Sequence, residues 1–319
     1  LGVRIVLEDG RVVDLGGPVL DEPAYDLKGI VVGSEGLLGI VTEVVLRILR
    51  KPEATRTFFA TFPSTTEAGN AVSAIIASGI VPAAIEMMDT LAIVAAKAAT
   101  GVDWPEVGAA LLMDVDGIAA ECDHTSANAI ELARKAGALE IRVPRDAAER
   151  ELMWKGRKSA FAAVGRIARN YLVQDGVIPR SQIAVVLQEI AALGQRYGLR
   201  VANVFHAGDG NLHPLVLFDG RDPAEERRAE EMSAEILRTC LRYGGSITGE
   251  HGVGADKAPY MAEMFTPQDL ETMQLVRCAF DPTMGFNPGK VFPSPRLCGD
   301  KPGPYKAHPT ELSGEAWRG

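Results

Sequence analysis

The feature that most constrains the fold is an alternation of two hydrophobic patterns, which runs twice between Lys51-Pro52 and about residue 243. Short runs rich in β-branched and aromatic residues predict strands, and longer runs with apolar residues three and four positions apart predict helices. The predicted strands are 56–62, 83–88, 109–115, 139–143, 170–174, 201–206 and 213–218. The predicted helices are 64–78, 90–99, 119–136, 146–164, 181–197 and 223–243.

Both rounds have roughly the order β-α-β-β-α-β, which is the split arrangement of ferredoxin-like units. We therefore expect an α+β fold in which two such units share one antiparallel sheet with helices on one face. Before this repeat, residues 1–15 predict a β-hairpin around Asp9-Gly10 as a type I′ turn. Residues 40–49 predict a further strand, and Lys51-Pro52 marks the first domain boundary. After Pro293, a stretch rich in proline, glycine and polar residues predicts a loose tail.

Composition excludes several classes of function. The 319 residues include 42 acidic and 33 basic side chains, so the net charge of −9 argues against a nucleic-acid partner. The four cysteines are far apart and form no C-x-x-C pair, which predicts neither a disulfide framework nor a thiolate zinc site. A reducing, cytoplasmic compartment fits this cysteine usage. The cysteines are Cys122, Cys240, Cys278 and Cys298.

No segment predicts a transmembrane helix. The longest uncharged stretch, residues 68–85, is long enough to span a bilayer, but it contains Gly79 and Pro82. It predicts a helix, a turn and a buried strand. The chain begins at Leu1 in strand-like sequence without a signal peptide, and we expect it to be a piece of a longer protein.

The most informative motif is His206-Ala-Gly-Asp-Gly-Asn-Leu-His213. If Asp209-Gly210 forms a two-residue hairpin turn, His206 lies directly opposite His213, with Cβ atoms roughly 5 Å apart. In this register Pro214 loses no ladder hydrogen bond. Two imidazoles on a rigid hairpin could chelate a divalent metal, whereas the alternative is two ordinary sheet histidines. The same face would continue with the apolar pairs Val204 with Leu215 and Ala202 with Leu217.

The second motif is Gly245-Ser-Ile-Thr-Gly-Glu-His-Gly-Val-Gly254, whose glycines permit sharp bends around Glu250 and His251. A carboxylate added to two histidines would complete a three-ligand metal site with open positions. On an extended backbone, neighbouring side chains point to opposite sides, so Glu250 could bind the metal while His251 faces a substrate hydroxyl. The alternative is a surface turn with a solvated Glu-His pair.

Three further features have weaker patterns. The run Gly33-Ser-Glu-Gly-Leu-Leu-Gly39 offers backbone N–H groups to an anion such as a pyrophosphate, although a structural turn is the commoner explanation. Arg157, on the predicted helix 146–164, could clamp a carboxylate, or it could be an ordinary surface arginine. Asn287-Pro-Gly-Lys290 predicts a turn.

Together these motifs resemble the FAD-linked oxidases of the vanillyl-alcohol-oxidase type. The resemblance runs from about residue 1 to about residue 293 and is strongest to members that oxidise glycolate, which are relatives of D-lactate and D-2-hydroxyglutarate dehydrogenases. The segments that carry it are GSEGLLGIVTE, WKGRKSAF, QDGVIPRS, VANVFHAGDGNLHPLVLFD, GGSITGEHGVG and FDPTMGFNPGKVFP.

The resemblance implies a role for each matching residue. His206, His213 and Glu250 match the metal ligands of the family, and His251 matches the base that takes the proton of the α-hydroxyl. Arg157 matches the arginine that grips the substrate carboxylate, and Asn211 matches a polar residue beside the substrate. The residues that match positions around the FAD are Gly33, Ser34, Glu35, Gly36, Gly39, Ile40, Val41 and Asn287.

The implied reaction is the oxidation of a small 2-hydroxy acid, glycolate or D-lactate, to the 2-oxo acid by hydride transfer to FAD. A zinc, manganese or iron ion would assist by lowering the pKa of the hydroxyl. Relatives that act on hydroxyglutarate have a lysine just before the aspartate matching Asp175. Here the stretch is Tyr171-Leu-Val-Gln174, which favours a monocarboxylate.

The resemblance also implies an organisation. Residues 1–52 would be a C-terminal remnant of the FAD-binding domain, 53–264 the cap domain, and 265–293 a segment returning to the FAD domain, with a tail at 294–319. We expect a fragment that lacks most of the FAD site and is inactive alone. Implied partners are a flavoprotein-like and an iron–sulfur subunit, through which a cytoplasmic protein could lie against the inner membrane. The alternative is a flavin-free metal-binding or interaction module on the same sheet.

Overall fold

The computed structural model describes residues 1–20, 25–293 and 298. These described residues fall into two compact units. The first contains those within 1–50 and those from 252 onward, and the second contains Lys51–His251. The predicted tail, 294–319, lies outside the described residues except for Cys298. Within the described part of the chain, no helix combines the length and apolarity needed to span a bilayer.

The first unit contains a three-stranded antiparallel sheet in the order β2-β1-β3. The chain enters it through β1 (Gly2–Val6), β2 (Val12–Gly16), α1 (Leu27–Val31) and β3 (Ile40–Val45). The second unit then follows with strands β4–β12 and helices α2–α7. The chain returns to the first unit with α8 (Met261–Met264) and α9 (Pro267–Phe280).

The predicted hairpin is present, but its turn is not type I′. Leu7 N–H donates to Arg11 O at 2.9 Å and Gly10 N–H donates to Leu7 O at 3.0 Å, which leaves a three-residue loop. A type I′ turn needs positive φ at both central residues. Here Gly10 has a φ of 81°, whereas Asp9 does not have a positive φ. The predicted strand 40–49 is also shorter, since β3 ends at Val45 opposite the start of β1.

A disulfide joins Cys278 of α9 to Cys298. The prediction of no disulfide framework is wrong for this pair, because a spacing of 20 residues says nothing about how the chain folds back on itself. Cys122 and Cys240 are buried and lie outside this disulfide.

The second unit is built on a nine-stranded sheet in which every strand pairing is antiparallel, as predicted. The strand order is β7-β4-β6-β5-β10-β11-β9, and β12 pairs with both β10 and β8. The strands are β4 (Ala54–Phe62), β5 (Ala84–Asp89), β6 (Ala109–Gly117), β7 (Glu140–Arg142), β8 (Asn170–Val173), β9 (Gly176–Val177), β10 (Arg200–His206), β11 (Asn211–Leu212) and β12 (Pro214–Phe218). The helices are α2 (Thr65–Ala77), α3 (Thr90–Thr100), α4 (Ala119–Lys135), α5 (Ala147–Val164), α6 (Ile183–Tyr197) and α7 (Pro223–Arg242).

Helices cover both faces of this sheet, so the prediction of helices on one face is wrong. Phe58 and Phe62 of β4 belong to the apolar cluster under α2, α4, α6 and α7. Phe59, between them, belongs to a second cluster with residues of α3 and α5, such as Ile93 and Met153. Successive residues of a strand point to opposite faces. The continuous burial of β4 from Phe58 to Phe62 therefore requires cover on both sides.

Candidate metal centre

The histidine hairpin forms with a register two residues away from the predicted one. His206 pairs with Asn211 and Asn203 pairs with Pro214, so the loop comprises four residues, 207–210. Gly210 has a φ of 75°, whereas Asp209 has no positive φ, which again excludes a type I′ turn.

A shift of two residues keeps every side chain on its face, because side chains alternate with a period of two. His206 and His213 are therefore diagonal neighbours on one face, with ring centroids 5.4 Å apart and planes at 82°. Pro214 still loses no ladder bond. Its carbonyl accepts from Gln174 N–H at 3.1 Å, and Asn203 N–H donates to Asp89 instead.

The loop that carries Glu250 and His251 is held by the fully buried carboxylate of Asp175. Asp175 accepts hydrogen bonds from the Thr248 hydroxyl at 2.7 Å and from the N–H groups of Gly249, Glu250 and His251 at 3.0–3.2 Å. Burial by itself raises the pKa of Asp175. Its contacts with His213, Thr248 and the backbone N–H groups outweigh burial and hold that pKa far below its usual range.

Because Asp175 bends this loop, the expected extended backbone is wrong, and both side chains reach one cluster. Glu250 Oε1 lies 3.2 Å from His213 Nε2, 3.6 Å from His206 Nε2 and 3.9 Å from His251 Nε2. The His251 ring stacks on the His213 ring, with centroids 5.0 Å apart and planes at 26°. The Glu250 and His251 side chains remain 52% and 43% exposed, and both contact the buried His213.

The donor set fits a divalent metal. One ligand atom each from His206, His213 and Glu250 lie within 4.8 Å of one another. Ligands bound at about 2.1 Å to one ion are separated by roughly 3.0–3.5 Å. The 3.2 Å contact of Glu250 with His213 lies in this range, and its 3.6 Å contact with His206 lies just above it. His213 Nε2 is buried and has no hydrogen-bond partner, although a buried ring nitrogen normally has one. A bound cation would satisfy it.

A second combination, Asp175, His213 and His251, also lies within ligand distance. It offers a poorer site, because both oxygens of Asp175 already accept hydrogen bonds from the 248–251 loop. A carboxylate used in this way holds the backbone in place.

Arg157 is not a surface arginine. Its side chain is 10% exposed, and Nε and Nη2 donate to Glu86 Oε2 at 3.0 and 2.6 Å. Glu86 Oε1 lies 2.9 Å from His206 Nδ1. This hydrogen bond raises the pKa of His206 despite partial burial. Burial raises the pKa of Glu86, but the contacts with His206 and Arg157 outweigh it and lower that pKa below its usual value.

Asn211 borders the same cluster. It is 7% exposed, and its Oδ1 atom is buried without a hydrogen-bond partner. A Cβ atom on Gly249 would lie 2.6 Å from this oxygen, so a glycine is needed for the close approach of the two segments.

The residues that were expected around FAD come together in the first unit. All eight line one cavity of about 580 Å³ together with residues such as Val3, Val44 and Phe286. The backbone curls through positive φ at Gly33, Glu35 and Gly36. Two of the eight side chains also hold the loops: Glu35 accepts from Val253 and Gly254 N–H, and Asn287 Nδ2 donates to Glu35 O at 2.7 Å.

Sequence reasoning missed the structural roles of Glu86 and Asp175. The available signal for Glu86 was a charge between Ile85 and Met87 within the otherwise apolar run 84–88. Asp175 directly precedes the short strand β9, and its contacts are 38 and more residues away, so no local pattern could reveal them.

Comparison with known proteins gives consistent matches. Residues 51–291 match the family described as FAD linked oxidases, C-terminal domain. Glycolate oxidase subunit GlcD of Escherichia coli (strain K12) is 45% identical over 94% of this chain and 60% of its own length. The mitochondrial D-lactate dehydrogenase [cytochrome] of Arabidopsis thaliana is 29% identical over 93% of this chain and 53% of its own. This chain therefore spans less than two thirds of these relatives.

A solved structure supports the fold. The crystal structure of p-cresol methylhydroxylase with substrate bound superposes with a TM-score of 0.70 at 16% identity, covering 91% of this chain and 64% of that one. These similarities confirm the resemblance that the sequence motifs predict.

Proposed function

The chain belongs to the family of FAD-linked oxidases that share this C-terminal domain, and on that premise we propose that it provides the substrate and metal site for FAD-dependent oxidation of a small 2-hydroxy acid. The observation that carries the proposal is the buried His213 Nε2, which makes no well-formed hydrogen bond, lies 3.2 Å from Glu250 Oε1 and has a ligand atom of His206 within 4.8 Å. Relatives named as glycolate oxidase subunit and as D-lactate dehydrogenase support this substrate class.

His206, His213 and Glu250 are the proposed ligands of zinc, manganese or iron, since two imidazoles and one carboxylate suit all three. The bound ion would act as a Lewis acid that lowers the pKa of the substrate hydroxyl. His213 is fixed by burial, and Glu250 is placed by the hydrogen bonds of its loop to Asp175. Three protein ligands would leave the remaining coordination positions of a bound ion open to substrate.

The other side chains of the cluster bind and orient the substrate. His251, stacked on His213 and 43% exposed, is the proposed acceptor of the hydroxyl proton, because histidine is the side chain that changes protonation near neutral pH. Arg157 is the proposed partner of the substrate carboxylate, with Glu86 fixing its plane. Asn211, with an unpaired buried oxygen, is the proposed hydrogen-bond partner beside the substrate.

FAD would accept the hydride of the α-carbon, which no side chain can do. In the cavity of the first unit, residues 33–36 and 39–41 are the proposed contact with the diphosphate and adenine side of FAD, and Asn287 is the proposed residue near the flavin. Because this chain spans less than two thirds of its relatives, we propose that the remaining FAD contacts belong to segments of a longer protein. We further propose that residues 1–52 and 265–293 belong to the FAD domain and 53–264 to the cap.

Three finer proposals follow from the topology, the sequence and the name of a relative. The order β7-β4-β6-β5 supports a first ferredoxin-like unit, and β10-β12-β8 supports a second. The absence of lysine from Tyr171-Leu-Val-Gln174 favours glycolate or D-lactate over a dicarboxylate. The name of the Escherichia coli relative, which calls it a subunit, supports assembly with further subunits. We propose a flavoprotein-like and an iron–sulfur protein as these partners, as the resemblance implies.

The test is an absorption spectrum and elemental analysis of the full-length protein, followed by anaerobic addition of glycolate or D-lactate. We expect a yellow protein with one divalent metal whose flavin is bleached by one of these acids. A colourless protein that still binds metal would instead support a flavin-free binding module.

Two variants separate the proposed roles. His206→Ala should lower metal content and abolish turnover, whereas His251→Ala should retain metal and slow oxidation. Unchanged metal content in His206→Ala would contradict the ligand assignment, and equal metal loss in both variants would contradict the role of His251.

A further inference from the structure

Glu86 is a buried carboxylate whose two oxygens have different partners. It lies on β5, and its side chain is 9% exposed. Oε1 lies 2.9 Å from His206 Nδ1, and Oε2 accepts two hydrogen bonds from Arg157. One side chain therefore contacts both a proposed metal ligand and the proposed carboxylate anchor of the substrate.

The contact with His206 selects one form of the imidazole. A carboxylate that is paired with a guanidinium accepts hydrogen bonds and donates none. The hydrogen between Glu86 and His206 must therefore lie on Nδ1, which leaves the lone pair on Nε2. That nitrogen faces Glu250 Oε1 at 3.6 Å, on the side where the proposed metal would bind.

We propose that Glu86 is a positioning residue that links the two halves of the site: it fixes the His206 ring with Nε2 available to the metal, and it fixes the Arg157 guanidinium for the substrate carboxylate. The inference rests on the proposed function and adds a residue to it. Carboxylates that hydrogen-bond the distal nitrogen of a metal-binding histidine orient the ring and raise its basicity. In this chain the same carboxylate also neutralises the buried arginine.

The sheet contains a matched carboxylate that lacks the histidine contact. Asp114 of β6 lies on the same face as Glu86, because it pairs with Ala84 while Glu86 pairs with Leu112. It forms an ion pair with Arg150, which lies on α5 as Arg157 does, and accepts hydrogen bonds from Thr57 and Trp154. Asp114 thus reproduces the ion pair between sheet and helix without a link to the metal cluster.

The experiment compares Glu86→Gln with Asp114→Asn in the full-length protein. The glutamine side chain has one acceptor oxygen and cannot accept hydrogen bonds from both His206 and Arg157. The His206 ring is then no longer held with its hydrogen on Nδ1. We expect the affinity for Zn²⁺, measured by competition with a chromophoric chelator, to fall about 10- to 100-fold in Glu86→Gln. In Asp114→Asn it should stay within about threefold of the parent.

A second readout reports on Arg157. At saturating metal, the KM for the 2-hydroxy acid should rise several-fold in Glu86→Gln with a smaller change in kcat, because the guanidinium loses its orientation. In Asp114→Asn, KM should not change. Equal metal affinity and equal KM in Glu86→Gln and the parent would overturn the proposal.

A third readout uses the parent protein, so it does not depend on whether a variant folds. The ¹⁵N chemical shifts of the His206 ring at alkaline pH, in the metal-free protein, should show hydrogen on Nδ1 and none on Nε2. Hydrogen on Nε2 would overturn the role of Glu86 even if the metal site is real. If the protein binds no metal but Nδ1 carries the hydrogen, the positioning of His206 stands and the proposed function fails.

Discussion

The two Asp-Gly hairpins of this chain begin with the same sequence signal and reach different structures. At Asp9-Gly10 the loop has three residues, and at Asp209-Gly210 it has four. The first glycine is open, since a Cβ added to Gly10 would meet nothing within 4 Å. The second is enclosed, since a Cβ added to Gly210 would lie 2.2 Å from Ile178 O.

The difference shows what decides the length of a hairpin loop. The Asp-Gly pair supplies one residue with positive φ in both loops, and the surroundings determine the rest. In the second hairpin, Gly208 N–H donates to Ile85 O of the neighbouring strand, and Ile178 N–H donates to Gly210 O. These contacts hold the loop against the sheet, and they place His206 and His213 on the same face.

The largest expected effect is on metal binding through the second hairpin. His213→Ala removes the most buried ligand of the proposed site, and we expect the affinity for Zn²⁺ to fall more than about 100-fold, which corresponds to roughly 3 kcal/mol. Elemental analysis after gel filtration and chelator competition measure this directly.

His124→Ala provides the control, because His124 is an exposed histidine on α4 whose ring contacts Asn128. It should leave metal content unchanged. If His213→Ala retains as much metal as His124→Ala, His213 is not a metal ligand. The second hairpin would then differ from the first only in its packing.

The next largest effect is on stability. Gly210→Ala brings a methyl group into a backbone oxygen and also forces an L-residue into a left-handed conformation. Strain of this kind costs about 1–2 kcal/mol for the conformation and about 1–3 kcal/mol for the overlap. We expect the free energy of unfolding of the second unit, measured by urea denaturation and tryptophan fluorescence, to fall by about 2–5 kcal/mol. A loss under 1 kcal/mol would show that the loop at Gly210 accommodates a methyl group as readily as the loop at Gly10.

Features that depend on residues close together in the sequence were predicted well, and features that depend on residues far apart in the sequence were not. The strands and helices of the second unit were predicted almost completely, because each has a strong local period. α9 was missed because it buries only Gln274 and Arg277 and so has no apolar stripe, although the capping box of Thr266 and Asp269 was a signal. The position of α3 and α5 on the second face was missed, although the apolar run of β4 indicated cover on both faces.

The site was predictable only in part for the same reason. His206 and His213 were found because a hairpin brings residues of nearby sequence together, and an error of two residues preserves their face. Glu86 and Asp175 were missed because His206 lies 120 residues from the first and the 248–251 loop lies more than 70 residues from the second. Such contacts depend on the order of strands in the sheet, which no local pattern contains.

The base of the second hairpin predicts a pH dependence. Asp89 accepts hydrogen bonds from Asn203 N–H and Nδ2 of β10, and burial raises its pKa to about 6 despite these bonds. A carboxyl whose pKa is raised on folding stabilises the protonated folded state, and this contribution is lost as the pH rises from about 4 to about 6. At full ionisation the loss is at most about 3 kcal/mol.

Asp89→Asn removes the titrating group. The difference in unfolding free energy between Asp89→Asn and the parent should therefore shift in favour of the variant as the pH rises from 4 to 7. If the unfolding free energies of Asp89→Asn and the parent change in parallel with pH, the pKa of Asp89 is the same in the folded and the unfolded chain.

The smallest expected effect is in the first hairpin. Gly10→Ala keeps a φ of 81° at a position where a methyl group meets nothing within 4 Å, so only the conformational cost of about 1 kcal/mol applies. This corresponds to a fall of about fivefold in the hydrogen-exchange protection of the β1 and β2 amides. Gly210→Ala should reduce the protection of β10 and β12 far more, because it adds steric overlap to the same conformational cost. Equal losses in the two hairpins would mean that positive φ alone sets the energy of both loops and that the contact with Ile178 O relaxes freely.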